Sequence, residues 1–244
     1  MPSTGTLYGV GVGPGDPGLI TLKAVDILKR VDVVFAASST KNHYSLAMNI
    51  ASRVVSKHIP VLFLKFPMTR DRERLKKAWD SNAKEILEHI RKGKDVAYIT
   101  LGDPMTYSTF GYIMQAIQRL DPSVPVSIVP GITSYHAAAA ASRHIIAEAE
   151  ESFTVVSGAL GAEQLRRIIH HTDNVVMLKV YRNYKEILDE INRLGLTRCT
   201  KLISRCGLED EHIVYNLDNC RDKMPPYLSL LLIKKKGLKE EDET

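Results

Sequence analysis

Residues 9–18 read Gly9-Val-Gly-Val-Gly-Pro-Gly-Asp-Pro-Gly18, after a short β-branched and aromatic run and before an amphipathic helical pattern. Glycines between a strand and a helix let the backbone approach a ligand closely, with helix N–H groups aimed at it. The dinucleotide fingerprint G-x-G-x-x-G is not met: counted from Gly9 the sixth residue is Pro14, and counted from Gly11 it is Asp16. A phosphate loop ending in Gly-Lys-Ser/Thr is not met either, because no such lysine follows. The stretch predicts a loop that faces a ligand without cradling a pyrophosphate.

Working outward, the first half alternates strand and helix patterns. Strands are predicted at 6–12, 31–37, 59–65, 95–100 and 124–129, and helices at 21–29, 44–55, 72–91, 109–120 and 134–142. Strands alternating with helices imply a parallel sheet covered on both faces. The second half keeps strands, at 153–157, 175–180, 201–205, 212–215 and 227–234, with helices near 163–170 and 184–194. Strands 201–205 and 212–215 lie too close for a helical crossover, so they are expected to pair antiparallel in a mixed sheet. Asp121-Pro-Ser-Val-Pro125 reads as an extended connection. The fold expected is therefore α/β, with an N-terminal domain at 1–122, a C-terminal domain at 123–235 and a disordered tail at 236–244.

The bulk properties restrict the function classes. The 244 residues are 44% hydrophobic and 25% charged, which is ordinary for a globular protein that buries a sizeable core. No apolar run is long enough to cross a bilayer, and the start lacks the regions of a signal peptide. The cysteines Cys199, Cys206 and Cys220 are an odd number without C-x-x-C, which indicates neither a disulfide framework nor a zinc knuckle, and the reduced cytoplasm is the expected compartment. The net charge of +5 is scattered apart from Lys234-Lys-Lys236, so it reads as solvated surface and not as a nucleic-acid footprint. His170-His171 face different directions on a helix. His136 and His144 share a face but lack a third ligand, so no protein-bound metal is expected. Trp79 in the charged third helix reads as packing or a dimer contact.

Three predicted strands end in conspicuous loops: 11–17, Leu101-Gly-Asp-Pro-Met-Thr-Tyr-Ser-Thr109 and Pro130-Gly-Ile-Thr-Ser134. In a parallel sheet all three share the carboxyl edge, where α/β proteins bind ligands. Each alone is compatible with a tight turn chosen for geometry; three on one edge point to a site. A nicotinamide dinucleotide is excluded a second time, because strand two ends Phe35-Ala-Ala-Ser-Ser-Thr40 without the acidic residue that takes the ribose hydroxyls.

Leu7–Pro17, Leu101-Gly-Asp-Pro104 and Val129-Pro-Gly-Ile-Thr133, in this order, resemble the signatures of the tetrapyrrole (class III) methyltransferases. The resemblance covers nearly the whole chain. Within that family Tyr8, Thr21-Leu-Lys-Ala24 and Gly102–Phe110 are most similar to the branch that methylates C-20 of precorrin-2 or cobalt-factor II in cobalamin synthesis. The resemblance implies S-adenosylmethionine held between two α/β domains, with the tetrapyrrole beside it. It places Pro14, Leu101, Gly102, Asp103, Met105, Thr106, Thr133 and Ser134 along the cofactor, and Leu178, Lys179, Arg205, Cys206 and Gly207 over the adenine. It also implies a homodimer.

Methyl transfer from a sulfonium is an in-line displacement, so alignment and a water-poor cavity suffice, contributing about 7–11 kcal/mol. A meso carbon that gains a methyl loses a proton, and Tyr107, Asp103 and His136 are candidate bases by location. A uroporphyrin-like acceptor carries eight carboxylates, for which Arg143 and Arg182 are candidate partners. Two other readings stay open: the same fold acting on uroporphyrinogen III, another ring position, diphthine or rRNA, and a non-catalytic nucleotide-binding regulator.

Overall fold

A computed structural model describes residues 4–38, 45–218 and 220–235. The chain forms two compact units, 1–133 and 134–244.

In the first unit β1 (Leu7–Gly11), β2 (Val33–Ser38), β3 (Val61–Lys65), β4 (Val96–Thr100) and β5 (Val126–Val129) form one parallel sheet in the order β3-β2-β4-β1-β5. Every residue of β1 and β4 is buried, as expected of central strands covered on both faces. Their side chains alternate between two cores. Tyr8, Val10, Ala97 and Ile99 pack with α1 (Leu22–Arg30) and α2 (Leu46–Ala51). Leu7, Val96 and Tyr98 pack with α3 (Arg72–Ile90) and α4 (Phe110–Leu120). The Trp79 and Tyr112 rings stack at 4.2 Å between α3 and α4. Side-chain oxygens set three of the helix starts: Thr21 accepts from the Ala24 N–H, Ser45 from Met48, and Asp71 from Glu73 and Arg74.

Two expectations shift here. The helix at 44–55 is shorter: Ser52 turns its hydroxyl back to the Asn49 carbonyl (2.7 Å) and the β-branched Val54-Val55 pair follows in a turn. Tyr44 lies outside the described residues, as does the tail at 236–244. Strand β5 pairs with β1, so the first unit extends to Thr133 and not to 122. Pro122 and Pro125 lead into an edge strand, where a missing N–H costs no ladder bond, and not into a second domain.

The second unit opens with α5 (Ser134–Ser142) and holds a mixed sheet of β6 (Phe153–Ser157), β7 (Asn174–Leu178), β8 (Thr200–Ser204), β9 (His212–Val214) and β10 (Ser229–Lys234), in the order β6-β7-β10-β8-β9. β6 and β7 are parallel, and the other pairs are antiparallel, including the expected β8–β9 pair. α6 (Glu163–Ile168) and α7 (Tyr184–Arg193) bury Leu165, Tyr184, Ile187, Leu188 and Ile191 against one sheet face. Glu190, nearly buried, joins these helices by accepting from Arg166 (3.0 Å) and Arg193, and these guanidinium bonds hold its carboxyl below the usual range.

Candidate functional site

Strands β1 and β4 are neighbours, yet their onward helices cover opposite faces: α1 packs on one core and α4 on the other. Loops that leave adjacent strands in opposite directions open a crevice at the carboxyl edge, the usual ligand position in parallel sheets. The three glycine-containing loops meet here.

They meet backbone to backbone. Gly13 and Gly102 form an isolated antiparallel bridge, the Gly102 N–H donating to the Gly13 carbonyl at 2.7 Å. Both take positive φ, +79° and +67°, which a Cβ makes unfavourable. A Cβ on Gly131 would lie 2.1 Å from the Gly102 carbonyl oxygen, and one on Gly11 would lie 2.5 Å from the same atom. Those distances leave no room for a side chain, so loops 11–17, 101–109 and 130–133 interlock only as glycine backbone.

Asp103 locks them. One oxygen accepts from the Met105 N–H (2.8 Å) and the Thr106 hydroxyl (3.4 Å), and the other accepts from the Gly131 N–H (3.1 Å). Both oxygens of this carboxylate, which the sequence offers as a ligand group or base, also accept hydrogen bonds within the first unit. The missed partner, the Gly131 N–H, lies 28 residues away in the chain. Pro14 is buried in the first loop, and Met105 and Tyr107 are exposed on the second. Tyr107 has φ +50°, a conformation costing a side-chain-bearing residue roughly 1–2 kcal/mol. Ser108 accepts from the Phe110 N–H and Thr109 bonds the buried Tyr98 hydroxyl at 2.7 Å, anchoring the far end of the loop. Burial raises the Tyr98 pKa, so this phenol stays protonated. The Thr100 hydroxyl, at the end of β4, is buried without a hydrogen-bond partner among the described residues; sequence reasoning passed over it, since nothing marks one strand threonine among others.

In the second unit, Ser134 opens α5 and His136 is exposed in its first turn. Leu178 ends β7 and Lys179 follows it, and Arg205, Cys206 and Gly207 follow β8. The register places these ends on one edge, because Leu178 is opposite Leu230 and Ser204 opposite Ser229 on β10. The edge is strained: Lys179 (φ +59°), Arg205 (+53°) and Leu228 (+69°) are all left-handed. Arg205 donates its N–H to the Leu228 carbonyl (3.0 Å), and its guanidinium pairs with Asp210 at 2.5 Å. Burial and the Glu211 carboxylate push the Cys206 thiol up to about 12, so it stays neutral. Arg182 lies just past β7, its Nε donating to the Tyr181 hydroxyl at 2.6 Å. Arg143 follows α5, where the Lys201 ammonium, from near the start of β8, donates to the Ser142 and Arg143 carbonyls. Among the described residues, no group of three or more His, Cys, Asp and Glu side chains is arranged to hold a metal ion, and no helix is long and apolar enough to cross a membrane.

Comparison with known proteins agrees with this arrangement. Residues 6–219 match the family model described as Tetrapyrrole (Corrin/Porphyrin) Methylases. The chain is 37% identical to the probable cobalt-precorrin-2 C(20)-methyltransferase of Methanocaldococcus jannaschii, over 94% of this chain and 96% of that protein. It is 32% identical to the cobalt-precorrin-2 C(20)-methyltransferase of Salmonella typhimurium, over 95% and 97%. Among solved structures, uroporphyrin-III C-methyltransferase from Thermus thermophilus, complexed with S-adenosylhomocysteine, matches with a TM-score of 0.68 at 25% identity, covering 95% of this chain and 92% of that one. With the family model spanning both units and the interlocked loops lying inside it, the chain belongs to the tetrapyrrole (corrin/porphyrin) methylases.

Proposed function

We propose that the chain methylates the C-20 meso carbon of precorrin-2 or cobalt-factor II, with S-adenosylmethionine as donor, in cobalamin biosynthesis. The interlocking of the Gly11–Pro17, Leu101–Thr109 and Pro130–Thr133 loops at the β1/β4 crevice carries the donor site. The acceptor rests on the relatives named as C(20)-methyltransferases.

The residues present fit the donor. The buried Thr100 hydroxyl has no partner among the described residues and suits a polar group of a bound molecule. The loops offer backbone N–H and carbonyl groups without a lysine, as suits a cationic ligand that has no phosphate. Pro14, Leu101, Gly102, Asp103, Met105, Thr106 and Thr133 would hold it in the first unit; Ser134, Leu178, Lys179, Arg205, Cys206 and Gly207 are assigned to it from the second. When bound, S-adenosylmethionine supplies the electrophilic methyl group. The chain's own contribution is alignment: Asp103 fixes the loop carrying Met105 and Thr106 against the loop carrying Gly131. With Asp103 engaged in that fixing, Tyr107 and His136 remain the candidate bases for the departing meso proton. Arg182 is assigned to an acceptor carboxylate. The reading includes a homodimer in the reduced cytoplasm, without nucleic-acid or membrane partners; light scattering tests the dimer.

Isothermal titration with S-adenosylmethionine and S-adenosylhomocysteine, followed by mass spectrometry of cobalt-factor II incubated with the protein and donor, tests the proposal. It predicts binding of both and an acceptor heavier by one methyl group. No binding of either overturns it.

A further inference from the structure

We infer that Lys201 is a positioning residue for donor binding: its ammonium pins the C-terminal end of α5 to the start of β8, which fixes Ser134 against the Arg205–Gly207 turn at the other ends of the same two elements. The inference rests on the S-adenosylmethionine reading above, which assigns both to the donor. α5 packs on β8 and β10, but its side chains do little to key it there. The helix reads Ser134-Tyr-His-Ala-Ala-Ala-Ala-Ala-Ser142, and its buried residues are Ala137, Ala138 and Ser142. Methyl groups make few dispersion contacts each, so packing alone holds the axial position of this helix weakly.

A polar tie at the far end supplies what the alanines do not. Arg143 turns left-handed (φ +49°), and the His144 and Arg143 N–H groups return to the Ala139 (2.8 Å) and Ala140 (3.2 Å) carbonyls, which closes the helix. Lys201 takes carbonyls beyond these, donating to Ser142 at 2.9 Å and to Arg143 at 3.5 Å from 59 and 58 residues away in the chain. Among the described residues this ammonium has no carboxylate partner; its other contact is the Tyr215 ring, 5.3 Å away. Its charge therefore acts on the carbonyl end of α5, the negative end of the helix dipole. From this tie, helix and strand run in opposite directions. The nine residues of α5 rise about 12 Å, and Lys201 to Arg205 spans about 13 Å of strand. The matched lengths bring Ser134 level with the Arg205–Gly207 turn, so a shift of α5 along β8 would be felt at the donor.

The full-length protein is titrated with S-adenosylhomocysteine as wild type, Lys201→Met, Lys234→Met, Ser134→Ala and the double variant Ser134→Ala with Lys201→Met. Methionine keeps an unbranched stem and removes the ammonium. Lys201→Met is expected to weaken binding about fivefold or more. Lys234→Met removes an ammonium that pairs with Glu148 and is not tied to α5, and it is expected to leave binding unmoved. Residues this far apart without a shared partner act independently. Because Lys201 acts through α5, its removal is expected to cost less than about twofold once Ser134→Ala is in place. Unchanged binding in Lys201→Met overturns the inference. An equal fold-loss in the two backgrounds makes Lys201 merely structural and also overturns it, as does a Lys234→Met variant that loses as much. Wild type that binds no S-adenosylhomocysteine overturns the donor reading, and the inference with it.

Discussion

The Asp103 carboxylate accepts the Gly131 N–H at 3.1 Å, so the loop after β4 and the loop after β5 are held by one side chain. Its other oxygen organises its own loop through Met105 and Thr106. An ionised carboxylate accepts on both oxygens, whereas asparagine presents an N–H₂ on one side, where it faces an N–H donor. Asp103→Asn is therefore expected to lose about 1–3 kcal/mol in urea unfolding and to weaken S-adenosylmethionine binding in isothermal titration. Unaltered stability with lost turnover would instead assign Asp103 to the chemistry.

Glycine at 131 is required by space. With Ala, the new methyl carbon lies 2.1 Å from the Gly102 carbonyl, and backbone has to move. The expected cost of Gly131→Ala is about 1–3 kcal/mol, with loss of donor binding. Gly111, in the first turn of α4, has open space around it. There Gly111→Ala should gain up to about 1 kcal/mol from helix propensity and leave donor binding as it was. Paired thermal melts and titrations check both; a tolerated Gly131→Ala contradicts the interlocked geometry.

His144 gives the second unit a pH dependence. Burial first, then the Lys201 and Lys234 ammonium groups, lower its pKa from 6.5 to about 4. The unfolded chain therefore takes up this proton at a higher pH than the folded chain does. The stability it contributes is complete above about 6.5, is lost as the pH falls towards about 4, and changes no further below that. After solvent screening the loss is about 1–2 kcal/mol. Unfolding free energies from urea titration at pH 7.5 and 4.5 should differ by that much less in His144→Gln than in wild type. Equal pH dependence in the two proteins contradicts the shift.

Much of this architecture was legible in the chain because its signals are local. Apolar runs of strand length, helically spaced apolar residues and the Gly-Pro loops each declare an element within a few residues. What was not legible depended on distant partners. The Asp121–Pro125 stretch reads as a linker until β5 is seen pairing with β1. The bond from the Gly131 N–H to Asp103 spans 28 residues and has no mark in the sequence. The left-handed turns at Tyr107, Lys179, Arg205 and Leu228 carry no sequence mark, since none of these residues favours that conformation.

The most direct measurement is the position of the transferred carbon. The protein is incubated with S-adenosylmethionine labelled with ¹³C in its methyl group and with precorrin-2 or cobalt-factor II, and the product is examined by NMR. The account predicts one new labelled methyl, attached to C-20. Label at another ring carbon, or no label transferred by a protein that binds the donor, would contradict it.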